Sequence, residues 1–237
     1  MKEKVVWLRD PRRVEYTPER FDQLARLRER AETMGRALGP GWSVHGSIAR
    51  GDVKKGSDID LVYLEGELAS YEVETRLERA GVHWSAREVV MATPNSAPKG
   101  HIHLGEEATV TFPLAGFRPQ EEAFYRFGGL LPAAGLVEAP RVPGVSKKLL
   151  LIVPTETGHI ESSIQGREPE TGRLLGVPVT LVEERMRVLG RRDRVGRTGV
   201  YLREEVGESE SFESTLKFLS DRDPVVRRAT KERGRRG

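Results

Sequence analysis

Asp58-Ile59-Asp60-Leu61-Val62-Tyr63 places two carboxylates two residues apart in an otherwise apolar run. A strand sends alternate side chains to opposite faces, so Asp58 and Asp60 share one face while Ile59 and Leu61 take the other. Aspartate is poorly suited to strands, and two in one apolar strand need a chemical reason. Divalent cations supply one, because hard ions take carboxylate oxygens as ligands. Ahead of this run stands Val44-His45-Gly46-Ser47-Ile48-Ala49-Arg50-Gly51-Asp52. Gly46 lets a phosphate approach the backbone closely, and the Ser47 hydroxyl and amide fall where a following helix presents unpaired N–H groups to an anion. A phosphate cradle and a metal clamp thus lie close together along the chain.

Gly46-Ser47, the spacer and Asp58-x-Asp60, with Ala49-Arg50-Gly51-Asp52 and Ser57 beside them, resemble the DNA polymerase β superfamily of nucleotidyltransferases, and in particular its small "minimal" members. The resemblance covers residues 42 to about 93. It implies transfer of a nucleoside monophosphate from an NTP to an acceptor hydroxyl by a two-metal mechanism. Asp58 and Asp60 would hold Mg²⁺ or Mn²⁺, and Gly46 and Ser47 would grip the triphosphate with help from Arg50, Lys54, Lys55 and Ser57. The superfamily uses a third carboxylate, for which Glu88 in Ala86-Arg87-Glu88-Val89-Val90 is the candidate, as metal ligand or proton acceptor. A competing alignment uses Thr109-Val110-Thr111-Phe112-Pro113, which resembles the catalytic strand of archaeal CCA-adding enzymes and carries no acid. Minimal members pair with small helical proteins, so such a partner is a further implication. The competing class is a nucleic-acid-binding regulator or antitoxin-like protein whose nucleotidyltransferase fold is degenerate.

Composition narrows the remaining classes. The chain has 237 residues and no cysteine, which excludes disulfides and thiolate zinc sites. No apolar run reaches the length that spans a membrane, and Met1-Lys2-Glu3-Lys4 opens no signal-like apolar region, so a cytoplasmic protein is expected. Charged residues at 32%, rich in Glu and Arg, lean toward a thermophile. The net charge of +3 is uneven: residues 1–146 carry 20 basic and 21 acidic side chains, and 147–237 carry 19 and 15. Seven arginines meet a single acid, Asp193, between Arg185 and Arg203, a field that attracts polyanions.

The expected fold is α/β, with a polymerase-β-like nucleotidyltransferase domain over 1–143 and a basic, winged-helix-like domain over 144–237. In the first, periodicity predicts a helix from Thr17 to Leu38 stopped by Gly39-Pro40-Gly41, strands at 42–45 and 58–64, a helix at 68–80 and a strand at 83–92. His101-Ile102-His103 looks like two metal ligands on one strand face, although two exposed polar positions are the commoner meaning of such a pair. Residues 130–145 read as a linker, 149–153 as a buried strand, His159 and Glu161 as a surface loop, and 160–165 as the start of a helix. Gly172 to Leu189 resembles a helix-turn-helix that turns at Gly176 with Thr180 as cap, and Arg191 to Leu202 resembles a β-hairpin wing. Arg185, Arg187, Arg191, Arg192, Arg194 and Arg197 are the candidate nucleic-acid contacts. A last helix is expected around Phe212, Leu216 and Leu219, followed by a frayed basic tail.

Overall fold

The computed structural model describes residues 5–6, 10–64, 69–105, 107–133, 136–196 and 199–233. In chain order the elements are β1 (Arg12–Glu15), α1 (Pro18–Leu38), β2 (Trp42–His45), α2 (Ser47–Arg50), β3 (Ile59–Tyr63), α3 (Ser70–Arg79), β4 (Ala86–Met91), β5 (Lys99–Leu104), β6 (Ala108–Pro113) and α4 (Pro119–Gly128). They continue with β7 (Leu130–Pro132), β8 (Gly144–Val145), β9 (Leu150–Thr155), β10 (Gly158–Ser163), α5 (Glu168–Leu175), α6 (Val179–Val195), β11 (Leu202–Glu205), α7 (Phe212–Arg222) and α8 (Pro224–Arg233). The mixed α/β character agrees with a nucleotidyltransferase core. No helix among the described residues is long and apolar enough to cross a membrane.

The chain divides into two compact units whose segments alternate in sequence. The first holds Met1–Arg30, Val44–Ser57 and Pro119–Thr198, and the second holds Ala31–Ser43, Asp58–Arg118 and Gly199–Gly237. The boundary expected between residues 143 and 144 falls inside a segment of the first unit.

The second unit is built on strands in the order β11-β4-β5-β6-β3, with β3 and β6 parallel and the other neighbours antiparallel. Strict alternation gives this sheet one apolar face: Ile59 and Leu61 on β3, Val110 and Phe112 on β6, Ile102 on β5 and Val89 and Met91 on β4 are all buried. Val73 and Leu77 of α3 and Phe212 and Leu219 of α7 are buried as well, and the Phe212 ring meets Phe112 edge-on at 5.1 Å. Arg87 is the charged exception on this face and is paired, reaching Glu74 of α3 and the Gly207 carbonyl. Gly100 has no alternative, because a Cβ there would lie 2.4 Å from the Phe112 ring. The end of α1 is tied down by Tyr63 and Arg76, which each donate to the Leu38 carbonyl at 2.7 Å and satisfy an acceptor the helix leaves open. α7 opens with a capping box made by Ser211 and Ser214.

The first unit pairs β1-β10-β9-β8 as an antiparallel sheet. Its core joins Ala123 and Phe127 of α4 to Val145, Leu149, Ile164, Leu175, Val177, Leu181 and Val182. α5 ends on Gly176 in the left-handed conformation, φ 61°, and α6 follows after Pro178, so two helices flank the turn expected at Gly176. The cap differs, since α6 starts at Val179 without a side-chain cap from Thr180.

Four expectations are corrected. Residues 158–163 form β10, paired on both sides by β1 and β9, where a helix start was expected from 160. Residues 191–195 continue α6 instead of opening a wing, and 202–205 pair with β4, so no hairpin forms from these described residues. The arginines that suggested the wing are good helix formers and carry α6 past the buried Gly190 as far as Val195, where Gly196 ends it. The segment after Asp221 is helical as α8, with Val226 and Ala229 buried. His159 is buried rather than on a surface loop; its Nδ1 lies 2.7 Å from the Tyr16 hydroxyl, and burial, opposed by nearby Asp52, holds its pKa below the ordinary range.

Candidate nucleotidyl-transfer site

The glycine-serine segment belongs to the first unit. Gly46 takes φ 83°, a conformation that costs a side-chain-bearing residue strain, and its N–H donates to the Gly129 carbonyl at 2.9 Å. One turn of helix, α2, follows immediately. Ser57 closes the loop after α2. Its N–H donates to the Lys54 carbonyl at 2.9 Å, its hydroxyl accepts from the Lys54 N–H at 2.9 Å, and it also accepts from the Ser47 hydroxyl at 3.4 Å. Lys54 and Lys55 are exposed.

Arg50 does not meet the expectation of a free phosphate ligand. It is buried, and its guanidinium is committed to the Gly128 carbonyl and to Asp52, 2.9 Å away. A more important arginine escaped sequence reasoning. Arg28 of α1, 4% exposed, donates to the carbonyls of Ile48 at 3.3 Å, Leu136 at 3.2 Å, Ala139 at 2.5 Å and Ala49 at 3.5 Å. Burial, with Arg141 nearby, pulls its pKa down to about 10, which leaves it charged at neutral pH. A cation on the last carbonyls of α2 suits the negative end of a helix. The signal was available: Arg28 sits beside Leu24, Leu27 and Ala31 on the stripe of α1 that faces inward.

The acids belong to the second unit. Asp58 stands one residue before β3 and is exposed, while Asp60 lies within β3 and is half-buried. Register fixes what shares the Asp60 face. Asp60 pairs with Thr109, Thr109 with His103 and His103 with Ala86, and the next row runs Val62, Thr111, His101, Glu88 and Glu205. This face carries the polar and titratable side chains, with Val62 buried among them.

Glu88 is therefore on the Asp60 face but not beside the aspartates. It lies three strands from β3, about 14 Å at the usual strand spacing of roughly 4.8 Å, too far for a shared ion. Its carboxylate instead lies 3.4 Å from His103 Nε2 and 3.7 Å from Arg203 Nε. The strand next to Asp60 is β6, which brings Thr109 and Thr111, so strand order agrees with the alignment that carries no third acid. Among the described residues no group of three or more His, Asp or Glu is placed to hold a metal ion. The two aspartates still fit Mg²⁺, which is commonly bound by one or two carboxylates with substrate phosphates and water completing its shell.

His101 and His103 do lie side by side on β5, their rings stacked at 6.4 Å, yet each is held by a threonine of β6. His101 Nδ1 lies 2.9 Å from Thr111 Oγ1, and His103 Nδ1 lies 3.2 Å from Thr109 Oγ1. Burial, reinforced by Lys99, His103 and Arg203, lowers the His101 pKa to about 4, so this ring is neutral under ordinary conditions.

The candidate nucleic-acid residues separate into two groups. Arg185 is largely withdrawn from solvent, its guanidinium 4.8 Å from the Phe124 ring, and burial lowers its pKa. Arg187, Arg191, Arg192 and Arg194 are exposed on the C-terminal half of α6, with 187, 191 and 194 on one stripe. Arg197 lies outside the described residues.

Residues 24–103 match the family model of the nucleotidyltransferase domain. The match runs from α1 to β5 and so takes in Gly46-Ser47, both aspartates and the His101/His103 pair. It supports a polymerase-β-like nucleotidyltransferase core and nucleotidyl transfer as the general activity, with an NTP as substrate. No curated protein matches the chain.

Proposed function

We propose that this chain transfers a nucleoside monophosphate from an NTP to an acceptor hydroxyl, a nucleic-acid end or a protein side chain, and releases pyrophosphate. The observation that carries the proposal is the Gly46-Ser47 and Asp58-x-Asp60 sequence pattern inside the matched segment. Asp58 and Asp60 would hold Mg²⁺ or Mn²⁺. When bound, such an ion neutralises charge on the triphosphate and leaving pyrophosphate and sharpens the attacking oxygen. The Gly46 turn, without a Cβ, keeps the backbone clear for phosphate, Ser47 and Ser57 offer hydroxyls, and Lys54 and Lys55 supply positive charge. Arg28 and Arg50 act indirectly by fastening α2 to its surroundings.

A nucleic-acid acceptor is favoured by the exposed arginines of α6, whose charges are unbalanced toward the helix C-terminus. A second reading, a nucleotide-binding regulator with a degenerate site, draws on the position of Glu88. One experiment addresses both. The purified chain is incubated with each α-labelled NTP, Mg²⁺ and total cellular RNA, and RNA and protein are then separated. Label on either, lost in Asp58→Asn/Asp60→Asn, supports transfer. Retention of free NTP without label on RNA or protein supports the regulator.

A further inference from the structure

We propose that Thr109 is itself an acceptor, so that the chain places a nucleoside monophosphate on its own β6 strand. This inference rests on the nucleotidyl-transfer reading above and assigns one of its substrates. The first support is position. Thr109 is the register partner of Asp60 on the adjacent strand and the same face, with Cα atoms about 5 Å apart at normal strand spacing. A triphosphate held at Asp60 brings its α-phosphorus into the neighbourhood of this hydroxyl.

The second support is activation. Thr109 Oγ1 lies 3.2 Å from His103 Nδ1, and the other ring nitrogen, Nε2, lies 3.4 Å from Glu88 Oε2. A carboxylate facing Nε2 favours the tautomer with its proton there, which leaves Nδ1 with a lone pair toward the threonine. Hydroxyl, imidazole and carboxylate in sequence form the chain by which hydrolases activate a serine, here with the two ring nitrogens exchanged. Arg203 Nε lies 3.7 Å from the same Glu88 oxygen.

The third support is selectivity between two similar threonines. Thr111 also bonds a histidine, His101, at 2.9 Å. Its register partner on β3, however, is Val62, and Thr111 is buried whereas Thr109 is half-exposed. Of these two, Thr109 alone combines an aspartate neighbour, an imidazole backed by a carboxylate, and access.

In the step itself, Thr109 Oγ bonds to the α-phosphorus while the bond to the β-phosphate bridging oxygen breaks. Pyrophosphate leaves with that electron pair, and the hydroxyl proton passes to His103 Nδ1. The product is a threonyl phosphodiester of the nucleoside.

The test uses the full chain with each NTP and Mg²⁺, with total RNA in a parallel tube, read by intact mass and peptide mapping. The expected result is one added nucleoside monophosphate on the peptide containing Thr109. Thr109→Val should abolish it, Thr109→Ser should retain it, and His103→Gln should slow it about 10²-fold, the usual scale for a general base. Melting curves of the Val and Ser variants separate loss of the acceptor from loss of fold. RNA label without protein label overturns the inference and leaves the transfer reading standing. No label on either overturns both, and label persisting in Thr109→Val at another residue overturns the assignment.

Discussion

Replacing Arg28 by Met keeps most of the stem volume and removes only the guanidinium, so its cost measures the hydrogen bonds. Of the four carbonyls served, Ala49 keeps a partner in the Val142 N–H at 3.1 Å, and Ala139 belongs to a half-exposed residue. Ile48 and Leu136 belong to fully buried residues and would be left without this donor. At about 1–3 kcal/mol for each buried acceptor stranded, reduced by whatever water enters, the expected loss is about 3 kcal/mol. Urea unfolding should show it as a lower midpoint at constant slope. The same change should loosen α2 locally. The Arg50 and Gly51 amides, which donate to Gly46 and Ser47 at 3.0 and 2.7 Å, should exchange about a hundredfold faster, the tenfold-per-1.4 kcal/mol equivalent of that loss. A loss below about 1 kcal/mol, or unchanged exchange at these two amides, would refute the claim that Arg28 fastens the glycine-serine segment.

Asp58→Asn/Asp60→Asn should abolish transfer and leave metal-free stability equal or higher, because a like-charged pair is neutralised; a lower melting temperature would make the pair structural. Glu88→Gln should leave Mn²⁺ affinity unchanged in a titration followed by paramagnetic resonance, since the carboxylate is too far from Asp60 to share an ion. His101 has a folded pKa of about 4 against 6.5 when unfolded, so the unfolded state binds more protons between these values. Stability should therefore be complete above about pH 6.5 and fall by up to about 3 kcal/mol on acidification toward pH 4, a slope that His101→Gln should flatten. Changing Arg187, Arg191, Arg192 and Arg194 to Gln should flatten the dependence of log K for RNA on log salt by about 0.7 to 0.9 for each phosphate these side chains neutralise, and an unchanged slope would make them a solvated face.

The first third of the chain was legible because its signals are local. Phe21, Leu24, Leu27, Ala31 and Leu38 recur at helical spacing, Gly39 stops them with φ 76°, and Ile59, Leu61 and Tyr63 alternate as a half-buried strand does. What failed depends on pairing between distant residues. Glu88 sits mid-strand among apolar neighbours as a third acid would, though glutamate replaces the commoner aspartate, and the insertion of β5 and β6 between its strand and β3 removes it from Asp60. His159 and Glu161 read as a loop because the turn chemistry at Pro154–Gly158 is strong; the partners that make a strand of them are Arg12 to Glu15, far away in sequence. The arginines at 191–194 carry charge but little conformational information, so an expected wing and an actual helix look alike there.

The strand order of the second unit also bears on how this chain can leave the ribosome. The segment matching the family ends at His103, but β6, which separates β5 from β3, begins only at Ala108, and β11, which covers β4, begins at Leu202. A nascent chain released up to β5 thus exposes β3 and β5 as bare edges awaiting a strand still in the exit tunnel, and β4 waits longer still, for β11. Bare edges recruit other strands. Expression fragments cut at the limits of the matched segment should consequently aggregate, and slow translation between residues 104 and 202 should depend on chaperones that shield sheet edges.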